Sequence, residues 1–481
     1  MLLNLLKNKI FIYLGARYGT YALQFIVSIA IATRLGPYYL GIYGFINLIL
    51  SYFTHLNFGV PHSLNVLIIH NKNDYKKSGN YIANSLWLYF LVSMLVLILF
   101  LIVKYFNIQL NKDYTIDKYL FLIALIAILT YINSILSTVL RVRNKVVRLS
   151  VVQSLNVLIN LIVVSLFNGE LLVTALVLCN LLSNVIVLLI CVCSNILPDF
   201  RETDLSLKVQ KEILHKGFYL FMYNSCFYFI TISIRTIVSG NYCVEDFGAF
   251  TFSFTIANAV MLLLDSLLTI IFPKIIDLLS SNNLVLIEHT LNNIRIGYIS
   301  SSHLMIYTAM IFFPIILLLA PQYENSLTTM NLISLAVLMN TNSCGYSSLL
   351  IAQNKEKTSA VISLLALLSN IILGVILASV LKVNFSYIIL ATLLTYLFFS
   401  FMCVWKGKAL LGMSSFEYAL KNFFPIRLLI PYLCALIISC FRIEFLIWTP
   451  LTVYIIFNWH DLRIIKKMAI KIVNNSNIAD I

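Results

Sequence analysis

The chain has 481 residues, of which 60% are hydrophobic and only 11% are charged, and its mean hydropathy of +0.93 excludes a soluble globular protein. The apolar runs are long and unbroken rather than alternating, so the sequence predicts a polytopic membrane protein whose spans are helices. Because the basic residues lie in short segments between these runs, the net charge of +14 indicates membrane topology and not nucleic-acid binding.

The start of the chain predicts a helical hairpin. Two apolar segments flank residues 34–44 (RLGPYYLGIYG), and each is long enough to cross a bilayer core. A charged stripe inside a membrane has to face protein or water, so we expect this hairpin to line a polar cavity. The stripe on its first segment consists of polar residues at helical spacing, namely Tyr13, Arg17, Thr20, Gln24 and Ser28.

The hydropathy predicts about fourteen spans in all. Residues 1–193 form a predicted N-terminal bundle of six helices, and a charged linker follows over 194–216. A second bundle of six covers 217–405, and 406–481 hold a further helix pair and a basic tail. The predicted spans are 11–33, 40–60, 82–103, 119–140, 149–167, 171–193, 217–239, 247–271, 297–318, 327–350, 358–380, 385–405, 424–441 and 443–459.

The basic residues also predict the orientation. Most of the 33 Lys and Arg fall in the two termini and in the even-numbered connecting segments, which the positive-inside rule assigns to the cytoplasm. Both termini are therefore expected inside. One inside segment, 272–296, carries apolar residues at helical spacing and predicts a helix that lies on the inner surface.

An internal repeat is visible at an offset of about 210 residues. Residues 136–145 (LSTVLRVRNK) resemble 346–355 (YSSLLIAQNK), and the GIYGF that begins at Gly41 lines up with the GAFTF that begins at Gly248. The offset covers an even number of helices. The halves are therefore predicted to be parallel repeats related by an axis along the membrane normal.

The first two helices of each half hold most of the polar residues inside the predicted spans. We expect them to line one cavity between the halves, in which a guanidinium suits a phosphate or a carboxylate. The candidate cavity residues are Arg17, Gln24, Asn47, His55, Asn224, Arg235 and Asn258.

Each charged candidate has a simpler interpretation as well. Arg17 and Arg235 lie near span ends and can snorkel to the headgroups, and His55 can be a hydrogen-bonded helix residue. Asp265, well inside a span, either neutralises an arginine or serves as a proton or cation coupling site. No metal-ligand set, nucleophile triad or phosphate-binding loop occurs at a usable spacing, so the sequence predicts no enzyme chemistry, no metal and no cofactor.

The segment RLGPYYLGIYG resembles the LGP-x-x-x-G-x-Y element of the polysaccharide transporter family, the Wzx-type flippases of O-antigen and capsule repeat units. That family is related to the MATE exporters and to the lipid II flippase MurJ. Arg235, the FGAF that begins at Phe247, and Pro273 follow in the order the family shows, although Phe247 and Phe250 replace its usual Leu or Val and its Tyr. The resemblance implies an all-α, MATE-like fold of two six-helix bundles with an extra helix pair.

The resemblance also implies a flippase that moves undecaprenyl-pyrophosphate-linked glycans across the bacterial plasma (inner) membrane by alternating access. Its partners would be the lipid-linked glycan, membrane lipids, a polysaccharide polymerase and a chain-length regulator. In this interpretation Arg17 and Arg235 bind the pyrophosphate, and the amide residues contact sugar. Two alternatives stay open. One is a MATE-like exporter of small cationic compounds, which is disfavoured because the predicted cavity has two cations and only one acid. The other is a membrane glycan polymerase or ligase, although such enzymes usually have a larger outside loop.

Overall fold

The computed structural model describes residues 9–474 apart from 72–73, 107–111, 144, 195, 199, 201–202, 282 and 414–415. The described part is helical and contains no strand, which confirms the predicted all-α class. In chain order the helices are α1 (Lys9–His55), α2 (Val60–His70), α3 (Tyr75–Tyr105), α4 (Leu120–Val142), α5 (Val146–Leu166), α6 (Gly169–Val192), α7 (Leu207–Asn241), α8 (Val244–Leu279), α9 (Leu284–Ile294), α10 (Ser300–Leu319), α11 (Leu327–Thr341), α12 (Tyr346–Ala352), α13 (Glu356–Val375), α14 (Leu390–Leu410), α15 (Phe416–Asn422), α16 (Ile426–Phe441), α17 (Thr449–Phe457) and α18 (Trp459–Asn474).

Many of these helices are long and apolar enough to cross a membrane. Within the described ranges, 7 single helices meet that requirement, and a pair bent by 58° inside α7 brings the number to 8. Three shorter apolar helices, Ser154–Leu166, Ile426–Phe441 and Glu444–Phe457, lie at predicted spans 5, 13 and 14. The chain is therefore a multi-pass membrane protein.

The predicted first hairpin has a shorter connection than expected. Gly36 is the single residue inside α1 with a non-helical backbone, at φ 69 and ψ 172, and Pro37 follows it directly. Glycine adopts this positive φ without a Cβ penalty, and proline suits the first turn of the helix that resumes. The predicted spans 11–33 and 40–60 left residues 34–39 as a connection, but one glycine is enough to break the helix, so the helical residues extend to both sides of Gly36.

The predicted helix within 272–296 is not a separate element. α8 continues to Leu279, and α9 runs without interruption through a π-helical turn, Arg295–Ile299, into α10. The apolar residues Ile287, Leu291 and Ile294 are buried in protein. The helical periodicity of this segment was correct, but its apolar face packs against protein.

The chain folds into two compact units. Unit I comprises Ala30–Tyr228 and Tyr242–Gly248. Unit II comprises Met1–Ile29, Phe229–Asn241 and Ala249–Ile481.

Unit I contains a hydrophobic core formed mainly by α2, α3, α4 and α6, which includes Leu64, Ile82 and Ile135, and α5 packs against it with partly buried side chains. Polar side chains join this core to the segment that precedes α7. The amide of Asn84 donates to the carbonyl of Asp204 at 2.9 Å and accepts from the backbone N–H of Ser206 at 3.0 Å. These bonds satisfy backbone groups of an irregular segment, which has no regular helical hydrogen bonds of its own.

Unit I also contains a very close helix crossing between α1 and α8. A Cβ built on Gly41 would lie 3.0 Å from the carbonyl carbon of Val244, and a Cβ built on Gly248 would lie 2.8 Å from the carbonyl carbon of Pro37. Each glycine thus faces the residue four positions before the other glycine. Gly41 and Gly248, which the repeat aligns, therefore lie at the same helix crossing. The two backbones can approach this closely because neither residue has a side chain.

Unit II is joined by a buried amide. Asn370 on α13 is fully buried, and its Nδ2 donates to the carbonyl of Ile230 and to the hydroxyl of Ser233, both at 2.9 Å. Its Oδ1 accepts from the hydroxyl of Thr392 on α14 at 3.0 Å. One side chain therefore connects α7, α13 and α14, as polar residues commonly do between membrane helices.

Candidate functional site

The structure describes the side chains of most predicted cavity residues. Those of Arg17 and Asp265 lie outside the described side chains, so their roles stay predictions. The others divide between the two units: Asn47, His55 and Asn224 belong to unit I, and Gln24, Arg235 and Asn258 belong to unit II.

In unit II the structure brings Arg235 and Asn258 to the same aromatic residue. The Arg235 guanidinium carbon lies 5.3 Å from the centroid of the Phe254 ring, within the range of a cation–π contact. The Asn258 Nδ2 donates to the backbone carbonyl of Phe254 at 2.8 Å. The cation of α7 thus lies against an aromatic ring of α8, and the Asn258 amide is bonded within α8 one turn after that ring.

The Arg235 side chain packs against α8. Its side chain is only partly exposed and its guanidinium lies against Phe254, although α7 continues to Asn241. A guanidinium is planar and offers five donors, which match the oxygens of a phosphate or carboxylate in pairs.

In unit I the structure places His55 directly on Tyr228. Their ring centroids are 3.3 Å apart with an interplanar angle of 29°, and Tyr228 lies one helical turn after Asn224 on α7. Two further aromatic pairs lie nearby in the sequence, Phe58 with Phe221 at 6.1 Å and Tyr223 with Phe227 at 6.3 Å. Tyr228 and Phe58 are 41% and 46% exposed, so protein leaves part of each ring uncovered.

The remaining candidates differ in how much protein covers them. Gln24 is exposed, and Asn47 and Asn224 are partly buried. Asn47 Nδ2 donates to the Tyr43 carbonyl at 3.0 Å within α1.

Phe254 was missed by the sequence reasoning, which followed polar stripes alone. Its signal was available, because Phe254 lies four residues before Asn258 and so shares a helix face with it. Among the described residues, no group of three or more His, Cys, Asp or Glu side chains is arranged to hold a metal ion.

Several solved transporter structures share this fold. An inward-facing multidrug resistance MATE transporter of the MOP superfamily aligns with a TM-score of 0.70 at 13% identity, over 84% of this chain and 95% of that one. The lipid II flippase MurJ, in an inward closed conformation, aligns at 0.67 and 16% identity over 95% and 100%. A MOP transporter from Pyrococcus furiosus, with a binding pocket of reversed polarity, aligns at 0.61 and 13% identity over 83% and 94%. These likenesses show that the fold is MATE-like, as expected.

The sequence comparisons identify the family. Curated protein sequences give no significant match. The profile of a family described as polysaccharide biosynthesis protein matches residues 6–279, which is more than half of the 481 residues. The chain therefore belongs to the polysaccharide biosynthesis protein family.

Proposed function

We propose that this protein is a flippase that moves undecaprenyl-pyrophosphate-linked oligosaccharides, the repeat units of a surface polysaccharide, across a bacterial plasma membrane. The proposal places both termini in the cytoplasm and uses alternating access between the two halves. The observation that carries it is the contact of the Arg235 guanidinium with the Phe254 ring, inside a membrane protein of a polysaccharide biosynthesis family.

The chemistry of such a substrate matches the described residues of each unit. A pyrophosphate needs a cation with several donors, which Arg235 offers in unit II. Sugar rings have hydroxyl edges, which amides can bond, and less polar C–H faces, which aromatic rings can cover. The solved flippase of the same fold carries lipid II, which supports a lipid-linked substrate here by analogy.

A cellular test compares two identical substitutions at two arginines. Arg235→Gln removes the charge of the residue proposed to bind the pyrophosphate, and Arg442→Gln makes the same change at an exposed arginine after α16. Losing a charge-assisted hydrogen-bonding group costs about 1.5–3 kcal/mol, which is roughly 10- to 150-fold in affinity. We expect Arg235→Gln to reduce surface glycan strongly at wild-type protein levels and Arg442→Gln to have no effect.

The measurement is surface polysaccharide in a deletion strain that carries each variant, with immunoblots of membranes for protein level. Normal surface glycan with Arg235→Gln would contradict the proposal. Altered susceptibility of the deletion strain to cationic drugs, without any change in glycan, would favour a small-molecule exporter instead.

A further inference from the structure

The last helix, α18, has an unusual attachment to the helix pair that precedes it. α17 ends at Phe457, and Asn458 has a non-helical backbone at φ -117 and ψ 23. The Asn458 Nδ2 donates to the carbonyl of Arg427, at the start of α16, at 2.9 Å. The point at which the chain leaves the last apolar helix is therefore fixed to the beginning of α16.

A half-buried ion pair fixes α18 a second time. Asp461 is fully buried, and its Oδ1 accepts from the Arg427 Nη1 at 2.9 Å. Asp461 is also the one acidic residue in the sequence of α18. The ion pair with Arg427 neutralises the Asp461 charge inside the protein, so no acidic side chain of α18 offsets the positive charge on the exposed face of this helix.

At the start of α18 the basic side chains are exposed and the apolar side chains are partly buried. Arg463, Lys466 and Lys467 are exposed, whereas Leu462, Ile464 and Ile465 are partly buried. Trp459 is 55% exposed, and the Arg463 guanidinium carbon lies 5.7 Å from its ring centroid. A basic face, an apolar face and a tryptophan at the first residue are typical of a helix that lies in the headgroup layer of a membrane.

We infer that α18 is a membrane-surface helix that binds the anionic headgroups of phospholipids and so holds the α16–α17 pair in place at one face of the bilayer. Direct attachment to an apolar helix brings α18 to the headgroup layer, and its exposed basic residues complement an anionic lipid surface. Each Lys or Arg near such a surface contributes about 5-fold to binding, so the three exposed residues give on the order of 100-fold. This inference does not depend on which substrate the protein moves.

The test measures backbone hydrogen exchange in the full-length protein, reconstituted into lipid nanodiscs. One preparation contains phosphatidylcholine alone, and the other contains phosphatidylcholine with phosphatidylglycerol. We expect amides of α18 to exchange about 10- to 100-fold more slowly in the anionic discs, with the difference lost at about 1 M salt because charge attraction is screened.

Two variants isolate the basic face. Arg463→Gln/Lys466→Gln/Lys467→Gln removes it, and Lys466→Arg/Lys467→Arg preserves its charge. A matched control, Lys208→Gln/Lys211→Gln/Lys216→Gln, removes equal charge from three exposed lysines at the start of α7. Exchange in α13 serves as the internal reference for folding.

The inference predicts that only the α18 glutamine variant loses the lipid-dependent slowing. Equal exchange of wild-type α18 in both lipids, or slowing that survives in that glutamine variant, would overturn it. Slowing produced by inorganic phosphate in the neutral discs, or lost equally in the α7 control, would also overturn it, because neither result requires a lipid surface at α18.

Discussion

The crossing of α1 and α8 provides a sharp test of how this protein is packed. Substituting alanine for Gly41 places a Cβ 2.7 Å from the Val244 Cγ1 and 3.0 Å from its carbonyl carbon. The valine side chain can rotate away, but the backbone of α8 cannot. The two helices therefore have to separate before an alanine fits.

The cost of that separation can be estimated from two opposing effects. Overpacking a close contact costs about 1–3 kcal/mol. Alanine gains up to about 1 kcal/mol over glycine inside a helix. We expect Gly41→Ala to destabilise the protein by roughly 1–2 kcal/mol net, which at this chain length corresponds to about 1–2 °C in the thermal midpoint.

A matched control is available at Gly240, near the end of α7. Nothing lies within 4 Å of a Cβ built there, so Gly240→Ala keeps the helix-propensity gain without the clash. The assay is thermal unfolding of the purified protein in detergent. Gly41→Ala should lower the midpoint, whereas Gly240→Ala should leave it unchanged or raise it.

The reciprocal geometry adds a double-mutant cycle. Once Gly41→Ala has separated the helices, Gly248→Ala meets less resistance, so the double variant should lose less stability than the two single variants together. Full additivity, or a Gly41→Ala protein as stable as the Gly240→Ala protein, would refute the close contact.

Three further substitutions test other contacts. Asn370→Ala should cost about 1–3 kcal/mol in unfolding free energy, because it removes three interhelical hydrogen bonds. Asn160 precedes Asn370 by the 210-residue offset of the repeat, and its buried Oδ1 has no hydrogen-bond partner, so Asn160→Ala should be near neutral. Phe254→Leu should reduce transport by weakening the cation–π contact of Arg235, worth about 0.5–2 kcal/mol, and Phe254→Tyr should restore it; equal transport by both variants would argue against the contact. Asp461→Ala should lower the thermal midpoint by breaking a half-buried ion pair worth about 1–2 kcal/mol, and an unchanged midpoint would contradict that.

The fold class could be predicted from sequence because a membrane restricts the choice of structure. Long apolar runs have to form helices in lipid, so hydropathy alone located most of the elements. Helix breaks are harder to predict from the sequence, since they depend on one or two residues. Gly36 followed by Pro37 was a readable signal within a segment interpreted as a longer connection, and the π-helical turn at Arg295–Ile299 gave none.

The repeat shows a second limit. Sequence comparison equated Gly41 with Gly248, but it gave no sign that the two glycines meet in space. Equivalence under a repeat and physical contact are separate facts, and only the three-dimensional structure supplies the second. The close approach explains why a residue without a side chain occupies both positions.

The candidate site was predictable in part. Polar periodicity identified Arg235 and Asn258, which the structure places against one residue of α8. Polar periodicity did not identify Phe254, because an aromatic residue in a membrane helix most often contacts lipid, and the sequence does not show that a cation lies on its ring. The roles of Arg17 and Asp265 remain predictions.

The central claim, that a cationic group in unit II carries a phosphorylated lipid head across the membrane, is tested most directly by transport with purified components. Liposomes containing the protein and a fluorescent undecaprenyl-pyrophosphate-linked oligosaccharide report how fast the glycan becomes accessible to a quencher on the opposite side. The account predicts transport by wild type and by Arg442→Gln, and at least a 10-fold slower rate with Arg235→Gln. Equal rates for Arg235→Gln and wild type, or no transport of this lipid by the wild-type protein, would contradict it.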